Sequence, residues 1–380
     1  AYILFGAADL SALSSDHLLS ALAAGPEHRA LFVAGARELG AAGTSVAGGV
    51  DVNADGLDDV VIGAPLDSTD AHSQNGTATV LYGQPNLPLL HTLDLATLVP
   101  GEGTVVYGSS DFEFLGWALA GLGRFDAVLP MTNNLTNPTL GDDVAIGAPG
   151  TASGAKVFAG AAYVLRGVAA GSHALAYFAT DFGNGPQKAG VVYRGAALGD
   201  QAGSAVARIG PLSVGADGFT QLAVSAPFND GIGKADSGSA YLVYGGMGPQ
   251  GADLGALSVG AGVTVWGPTT AGGQRGVLVA DAGDFDGDGL RDIALAHPNA
   301  PLIVGTSAYV GAGRLRLLDG SLLYAATGPV YLGNFSVPWP IMEFSGETAG
   351  DYAGFALASG DVNGDGDVDV AVGAPGAASD

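Results

Sequence analysis

Three short stretches carry acidic residues at a spacing that can hold a cation. Residues 51–59, 284–292 and 361–369 each read D-x-[DN]-x-D-G-x-x-D. In the first, side-chain oxygens come from Asp51, Asn53, Asp55 and Asp59, and the Leu57 carbonyl supplies another. In the second they come from Asp284, Asp286, Asp288 and Asp292, with the Leu290 carbonyl. In the third they come from Asp361, Asn363, Asp365 and Asp369, with the Asp367 carbonyl. Glycine at the sixth position (Gly56, Gly289, Gly366) turns the chain back so that these oxygens converge. An all-oxygen, carboxylate-rich loop favours Ca²⁺ over Mg²⁺, which demands tight octahedral geometry and keeps its waters. No helical pattern flanks the loops and no glutamate stands at the twelfth position, so they are not EF-hands. One such loop alone could be a solvated acidic turn. Three at equivalent places of a repeat predict three bound Ca²⁺ ions with a structural role.

The elements that must position these loops recur with them. Gly-Ala-Pro stands at 63–65, 147–149 and 373–375, with Ser-Ala-Pro at 225–227 and Ala-His-Pro at 296–298. The prolines lie 84, 78, 71 and 77 residues apart. Before each loop position runs a short segment of small and β-prone residues: 43–47, 116–120, 203–207, 276–280 and 354–358. Into each proline runs an apolar segment: 59–62, 143–146, 221–224, 292–295 and 369–372. Such a run bounded by turn residues reads as a buried strand, which proline ends because it has no N–H to donate. A third segment recurs at 79–83, 163–167, 241–245 and 315–320, and a fourth at 105–108, 191–195, 263–267 and 341–344. Four short strands per long, regular unit predict an all-β propeller of four-stranded blades. Only residues 15–24 read as a short helix.

Residues 1–6 match the third segment and residues 31–35 the fourth, while the last unit stops after its second. This predicts one propeller domain over 1–380, with units at 36–108, 109–195, 196–267, 268–346 and 347–380. The last is completed by residues 1–35, so that five blades close into a ring. Two units lack the acidic loop. The second has Arg124 and Asp126 followed by an insertion to Gly141, and the third has only Asp217 before Gly218. No ion is expected at either. Arg124 reads as a tethered positive charge near the cation position or as a plain exposed arginine.

Composition limits the partners. The formal net charge is −24, which repels nucleic acid and anionic lipid head groups. Three Ca²⁺ ions would lower it only to about −18. Cysteine is absent, so disulfides and thiolate metal sites are excluded, and no apolar run is long enough to span a bilayer. Neither nucleic-acid binding nor direct membrane insertion is expected.

The acidic loops and Gly-Ala-Pro turns resemble the FG-GAP repeats of integrin α-chain propellers and their bacterial relatives. The resemblance covers nearly the whole chain. The Phe-Gly half is degenerate, with Leu115-Gly116 nearest and Ala42-Gly43 and Ala202-Gly203 further off. Integrin propellers have seven blades, whereas five units stand here. The resemblance implies calcium loops on one face and partner binding on the opposite one. Candidate contacts there are Asp70, His72, Asp111, Phe112, Phe114, Phe228, Asn229, Arg275 and Tyr352. His72, His91 and His297 are scattered, and no nucleophile elbow, HExxH or Walker loop is present, so an enzyme is not expected. The reading is a secreted or cell-surface, calcium-stabilised binding and adhesion module with a protein or glycan partner. A filament subunit joined to copies of itself by terminal strand exchange is the alternative, with a propeller-based polysaccharide lyase or hydrolase behind it. Asn75, Asn134 and Asn334 head glycosylation sequons.

Overall fold

The computed structural model of the chain describes residues 1–5, 30–85, 87, 92–125, 141–168, 176–183, 188–212, 218–230, 237–246, 251–267, 278–304, 306–332 and 340–378. It is almost wholly β, in antiparallel blades of the propeller type. The first two strands are β1 (Tyr2–Leu4) and β2 (Ala30–Ala34), paired antiparallel. The first full blade holds β3 (Ser45–Val50), β4 (Asp59–Ala64), β5 (Thr77–Leu81) and β7 (Gly103–Tyr107), and β6 (Thr92–Asp94) lies in its third connection. The second holds β8 (Ala118–Gly123), β9 (Asp143–Ala148), β10 (Ala161–Leu165) and β12 (Gly190–Arg194), with β11 (Ala176–Phe178) in the same connection. The third runs β13 (Val206–Ile209), β14 (Gln221–Ala226), β15 (Ser239–Val243) and β16 (Gly262–Trp266). The fourth runs β17 (Leu278–Gly283), β18 (Asp292–His297), β21 (Arg314–Leu318) and β23 (Pro340–Ser345). A hairpin of β19 (Leu302–Val304) and β20 (Ser307–Tyr309), a six-residue helix α1 (Gly320–Ala325) and β22 (Val330–Tyr331) fill its connections. Last come β24 (Ala356–Gly360) and β25 (Asp369–Gly373), paired with each other.

The second strands show why these segments fold as they do. Every residue of β9, β14 and β18 is buried, because a neighbouring blade covers each face. They therefore read as continuous apolar runs instead of alternating ones. Side chains of successive blades interleave: Val61 and Val80 of the first with Ile146 and Tyr163 of the second, and Leu242 and Val263 of the third with Ile293 and Leu295 of the fourth. Each fully buried aliphatic side chain contributes roughly 1.5–3 kcal/mol. The first strands pack in series, β3 on β8, β8 on β13, β13 on β17 and β17 on β24.

Glycine in the motifs is required by contact. A Cβ on Gly63 would lie 2.1 Å from the Gly116 carbonyl oxygen of the next blade, and one on Gly147 equally close to that of Gly203. Among the described residues, the Gly of the first segment donates to the residue that opens or stands for its Gly-Ala-Pro turn in four units: Gly43 to Gly63, Gly116 to Gly147, Gly203 to Ser225 and Gly354 to Gly373.

One device goes beyond four strands per unit. The connection between third and fourth strands reaches back and adds a parallel strand to the outer edge of the preceding blade. Thus β6 pairs with β2, β11 with β7 and β22 with β16. Arg194 and Asp253 make a single bridge of the same kind. Outer edges that would otherwise invite foreign strands are covered.

The strand pairing expected to close the ring is not seen among the described residues. Among the described residues, no pairing joins β1 or β2 to β24 or β25. The strands β1 and β2 pack beside the first blade, where Leu31 and Val33 meet Ile62, Leu81 and Leu95. The β24–β25 pair packs on the fourth, where Leu357 and Val370 meet Ala294, Ala296 and Leu315. Among the described residues, each terminal pair packs on its sequence neighbour. The helix expected at 15–24, and Asn134 and Asn334, lie outside the described residues. Asn75 is fully buried and donates to the Gly108 carbonyl, so its side chain is an internal strut and not a glycan acceptor.

Candidate metal loops and contact surface

Antiparallel pairing puts the connections between first and second strands at one end of every blade. Those between second and third strands, and between blades, lie at the other, here the upper end. The three acidic loops are β3–β4, β17–β18 and β24–β25, all at the lower end. Their backbones share one design. Gly56, Gly289 and Gly366 have φ of 86°, 88° and 97°, a left-handed turn that bends the chain over the carboxylates. The first-position carboxylates accept the sixth-position amides: Gly56 to Asp51 at 2.8 Å, Gly289 to Asp284 at 2.9 Å and Gly366 to Asp361 at 3.0 Å. The fifth-position carboxylates accept the seventh-position amides, Leu57 to Asp55, Leu290 to Asp288 and Asp367 to Asp365. The side chains at positions 1, 3 and 5 are thereby aimed inward.

The fourth blade concentrates most charge. Ligand oxygens of Asp284, Asp286 and Asp292 lie within 4.8 Å of one another, as do those of Asp286, Asp288 and Asp319. Asp319 belongs to no loop motif. It caps α1 by accepting from the Leu322 amide, and so brings a fifth carboxylate to this site. In the first and last loops the third-position asparagine donates to the fifth-position aspartate, Asn53 to Asp55 and Asn363 to Asp365.

The ninth position has two jobs. Asp59 takes the Val52 amide on one oxygen and the Gly83 amide on the other, both at 2.8 Å. Asp292 does the same with Phe285 and Gly320. In the second blade, without an acidic loop, Asp143 still joins Phe125 to Gly167. In the third, Gln221 takes the Gly245 amide. This acceptor staples the loop to the end of the third strand whether or not the other ligands are present. The staple also explains the glycine closing the third segment: a Cβ on Gly83, Gly167, Gly245 or Gly320 would lie 1.9–2.5 Å from a facing carbonyl oxygen. Burial pushes the Asp59 carboxyl up to about 6 against its amide bonds, and raises that of Asp292. A cation at these loops would restore the ionised form.

Arg124 does not fill a cation position. Its guanidinium lies over the Phe219 ring of the third blade, 4.4 Å from the centroid. Asp126 and Asp217 lie outside the described residues.

At the upper end the sequence candidates separate. His72 and Asp111 meet, Nδ1 to Oδ1 at 3.3 Å, and Asp111 also accepts the Ser73 amide. Asp70 is exposed beside them. Phe112, 47% exposed, stacks towards Phe114, which meets Trp117 edge-on at 6.2 Å. Phe114, Trp117 and Phe158 line a crevice of about 100 Å³ with Pro149 and Gln201. Tyr352 is exposed and Phe228 half-buried. Asn229 is a correction. It is 4% exposed, donates to Asp200 and accepts from Ser239, so it is an internal strut and not a contact residue. Arg275 lies outside the described residues.

Sequence reasoning missed a row of acids that shape this end. Glu113, Asp200 and Asp351 stand three residues before Gly116, Gly203 and Gly354. Glu113 accepts from the Ser109 and Ser110 amides and the Tyr163 hydroxyl. Asp200 accepts from the Ala197 amide, and Asp351 from those of Glu347 and Thr348. Their constant offset from the glycine was the available signal.

No curated protein matches the chain. The FG-GAP repeat family matches residues 42–81 and 353–380. These stretches hold β3 to β5 and β24 to β25, each with its acidic loop. The chain therefore carries FG-GAP repeats, in its first and last units.

Proposed function

We propose that this chain is an extracellular, calcium-stabilised recognition module that takes a protein or glycan partner at its upper end. The observation that carries the reading is a set of upper-end aromatics, exposed or half-buried, held in costly backbone. Phe112, Phe114, Phe158 and Tyr352 have φ of 57°, 55°, 52° and 54°. Left-handed backbone costs a non-glycine residue roughly 1–2 kcal/mol. The turn itself demands this conformation, since Leu39, Ala41 and Gln201 share it at equivalent places. Where Gly199 and Gly350 stand in other units, the second has Phe112. A large exposed aromatic at a position that suits glycine argues for a contact role.

Three Ca²⁺ ions at the lower loops fit the aimed carboxylates, and they serve to hold the blades. Loops of this kind in extracellular modules bind at about 10⁻⁴–10⁻³ M, which suits a secreted or surface protein. Among the described residues, no helix is long and apolar enough to cross a membrane. Binding is favoured over catalysis because His297 is fully buried and the carboxylate that meets His72, that of Asp111, is exposed. The test is a protein and glycan array probed with and without calcium, using the chain and its Phe112→Ala and Trp117→Ala variants. Selective binding lost in both variants, with melting unchanged, is expected. Variants that bind as the parent does would move the contact surface elsewhere.

Among the described residues no strand pairs with the outer edges of β1 and β25, which favours a second reading, in which another copy completes each half-blade by strand addition. Light scattering that gives the mass of a single chain overturns it.

A further inference from the structure

The fourth blade buries a basic cluster where its neighbours bury an acid. His297 on β18 faces Arg314 on β21, and Arg316 faces Glu343 on β23. Leu295, opposite Arg316, packs towards the third blade, whereas Ala296 and Leu315 on the other face pack towards β24–β25. Side chains alternate along a strand, so the cluster lies on the face turned to the third blade. His297 is fully buried and Arg316 is 1% exposed. Arg316 Nε donates to Glu343 at 2.6 Å, and Arg314 Nε lies 3.4 Å from the same carboxylate. One carboxylate thus serves two guanidinium groups. Among the described residues, both Nη atoms of Arg316 and both ring nitrogens of His297 have no hydrogen-bond partner. Burial, then the two arginines, push the His297 imidazole down to about 3, so it is neutral and the cluster carries an excess positive charge.

The repeat says what belongs there. In strand register, Arg316 occupies the place of Tyr163 and Tyr241, and His297 that of Ala148 and Ala226. In the second blade the Tyr163 hydroxyl donates to Glu113, whose carboxylate comes from the upper turn. In the fourth, the residue at the offset of Glu113 is Gly273, which has no side chain to offer. The acid at that offset is missing from the sequence, and a guanidinium stands in place of the hydroxyl.

We propose that this cluster is a binding site for a small monovalent anion of the halide class, held by the Arg316 Nη atoms beside His297, in the place that Glu113 fills in the second blade. Buried guanidinium donors without an acceptor are costly, and an anion supplies both the acceptor and the missing charge. The probe is bromide. Crystals of the full chain grown in calcium and sodium bromide should show an anomalous peak within hydrogen-bonding reach of Arg316. Replacing gluconate by bromide or chloride at equal ionic strength should raise the melting temperature by several degrees. Arg316→Met should lose that shift. His297→Ala, which restores the residue of the other blades, should keep the bromide peak. Density for water alone, or an equal halide shift in Arg316→Met, would overturn the site. If Arg316→Met does not fold, the anomalous map of the parent chain decides alone.

Discussion

The first and second blades solve the same lower turn in different ways. Both place an aspartate at its end, Asp59 and Asp143, and both spend its two oxygens on backbone amides at the loop start and the third-strand end. Only the first adds Asp51, Asn53 and Asp55 around that staple. The second puts Arg124 near the start of its loop and stacks it on the third blade. The staple is therefore architecture, and the remaining acids are charge added to it. Carboxylates held together inside a turn repel one another, a cost that a cation would relieve, whereas the staple is satisfied by backbone amides.

The comparison breaks first on calcium. Chelation should lower the melting temperature strongly, since each filled site contributes about 2.7 kcal/mol when free calcium is one hundred times its Kd. Calorimetry should count three ions. A count of five would mean that the second and third blades bind as well, and no change on chelation would reduce all three loops to acidic turns.

Staple and site should then come apart by mutation. Asp143→Asn turns one acceptor into a donor facing an amide and should cost about 1–3 kcal/mol, equally with and without calcium. Asp59→Asn should cost more in calcium than in chelator, because there it removes a ligand too. Equal losses for Asp59→Asn in both media would make it a staple only. Asp288→Ala, which touches no staple, should remove one ion from the stoichiometry and destabilise only when calcium is present.

A smaller effect concerns pH. Unfolded histidine titrates near 6.5, whereas His297 is held to about 3. Between those values the unfolded chain takes up a proton that the native chain does not. The contribution of His297 is present above pH 6.5 and is lost as pH falls towards 3. In gluconate buffer, His297→Ala should therefore flatten the acid side of the melting profile. An unchanged slope would place a proton on the native imidazole.

The smallest effect is expected at the upper surface. Phe112→Gly relieves a left-handed phenylalanine and should alter stability by no more than about 1 kcal/mol, in the stabilising direction, while abolishing partner binding. A clear loss of stability would show that Phe112 serves packing instead of recognition.

The sequence by itself determined what is local. Each acidic loop is specified within nine residues, and its glycine turn and carboxylate order can be read without knowing what lies beside it. The strands were equally legible, because each is a short apolar run with a glycine or proline at its end and the run recurs from unit to unit. Tertiary structure decided whatever needs two distant segments to meet. The parallel strands β6, β11 and β22 exist only because a preceding blade offers an edge. Asn229 looked like a surface residue until Asp200 and Ser239 closed on it. The ends of the chain carry matching strand patterns, and only the tertiary structure shows that, among the described residues, each terminal pair makes buried apolar contact with the adjacent blade. The pairing of Arg316 with Glu343 joins residues 27 apart on separate strands. Spacing along a chain fixes a turn; the charge balance of a buried cluster is fixed only when the strands that carry it are laid side by side.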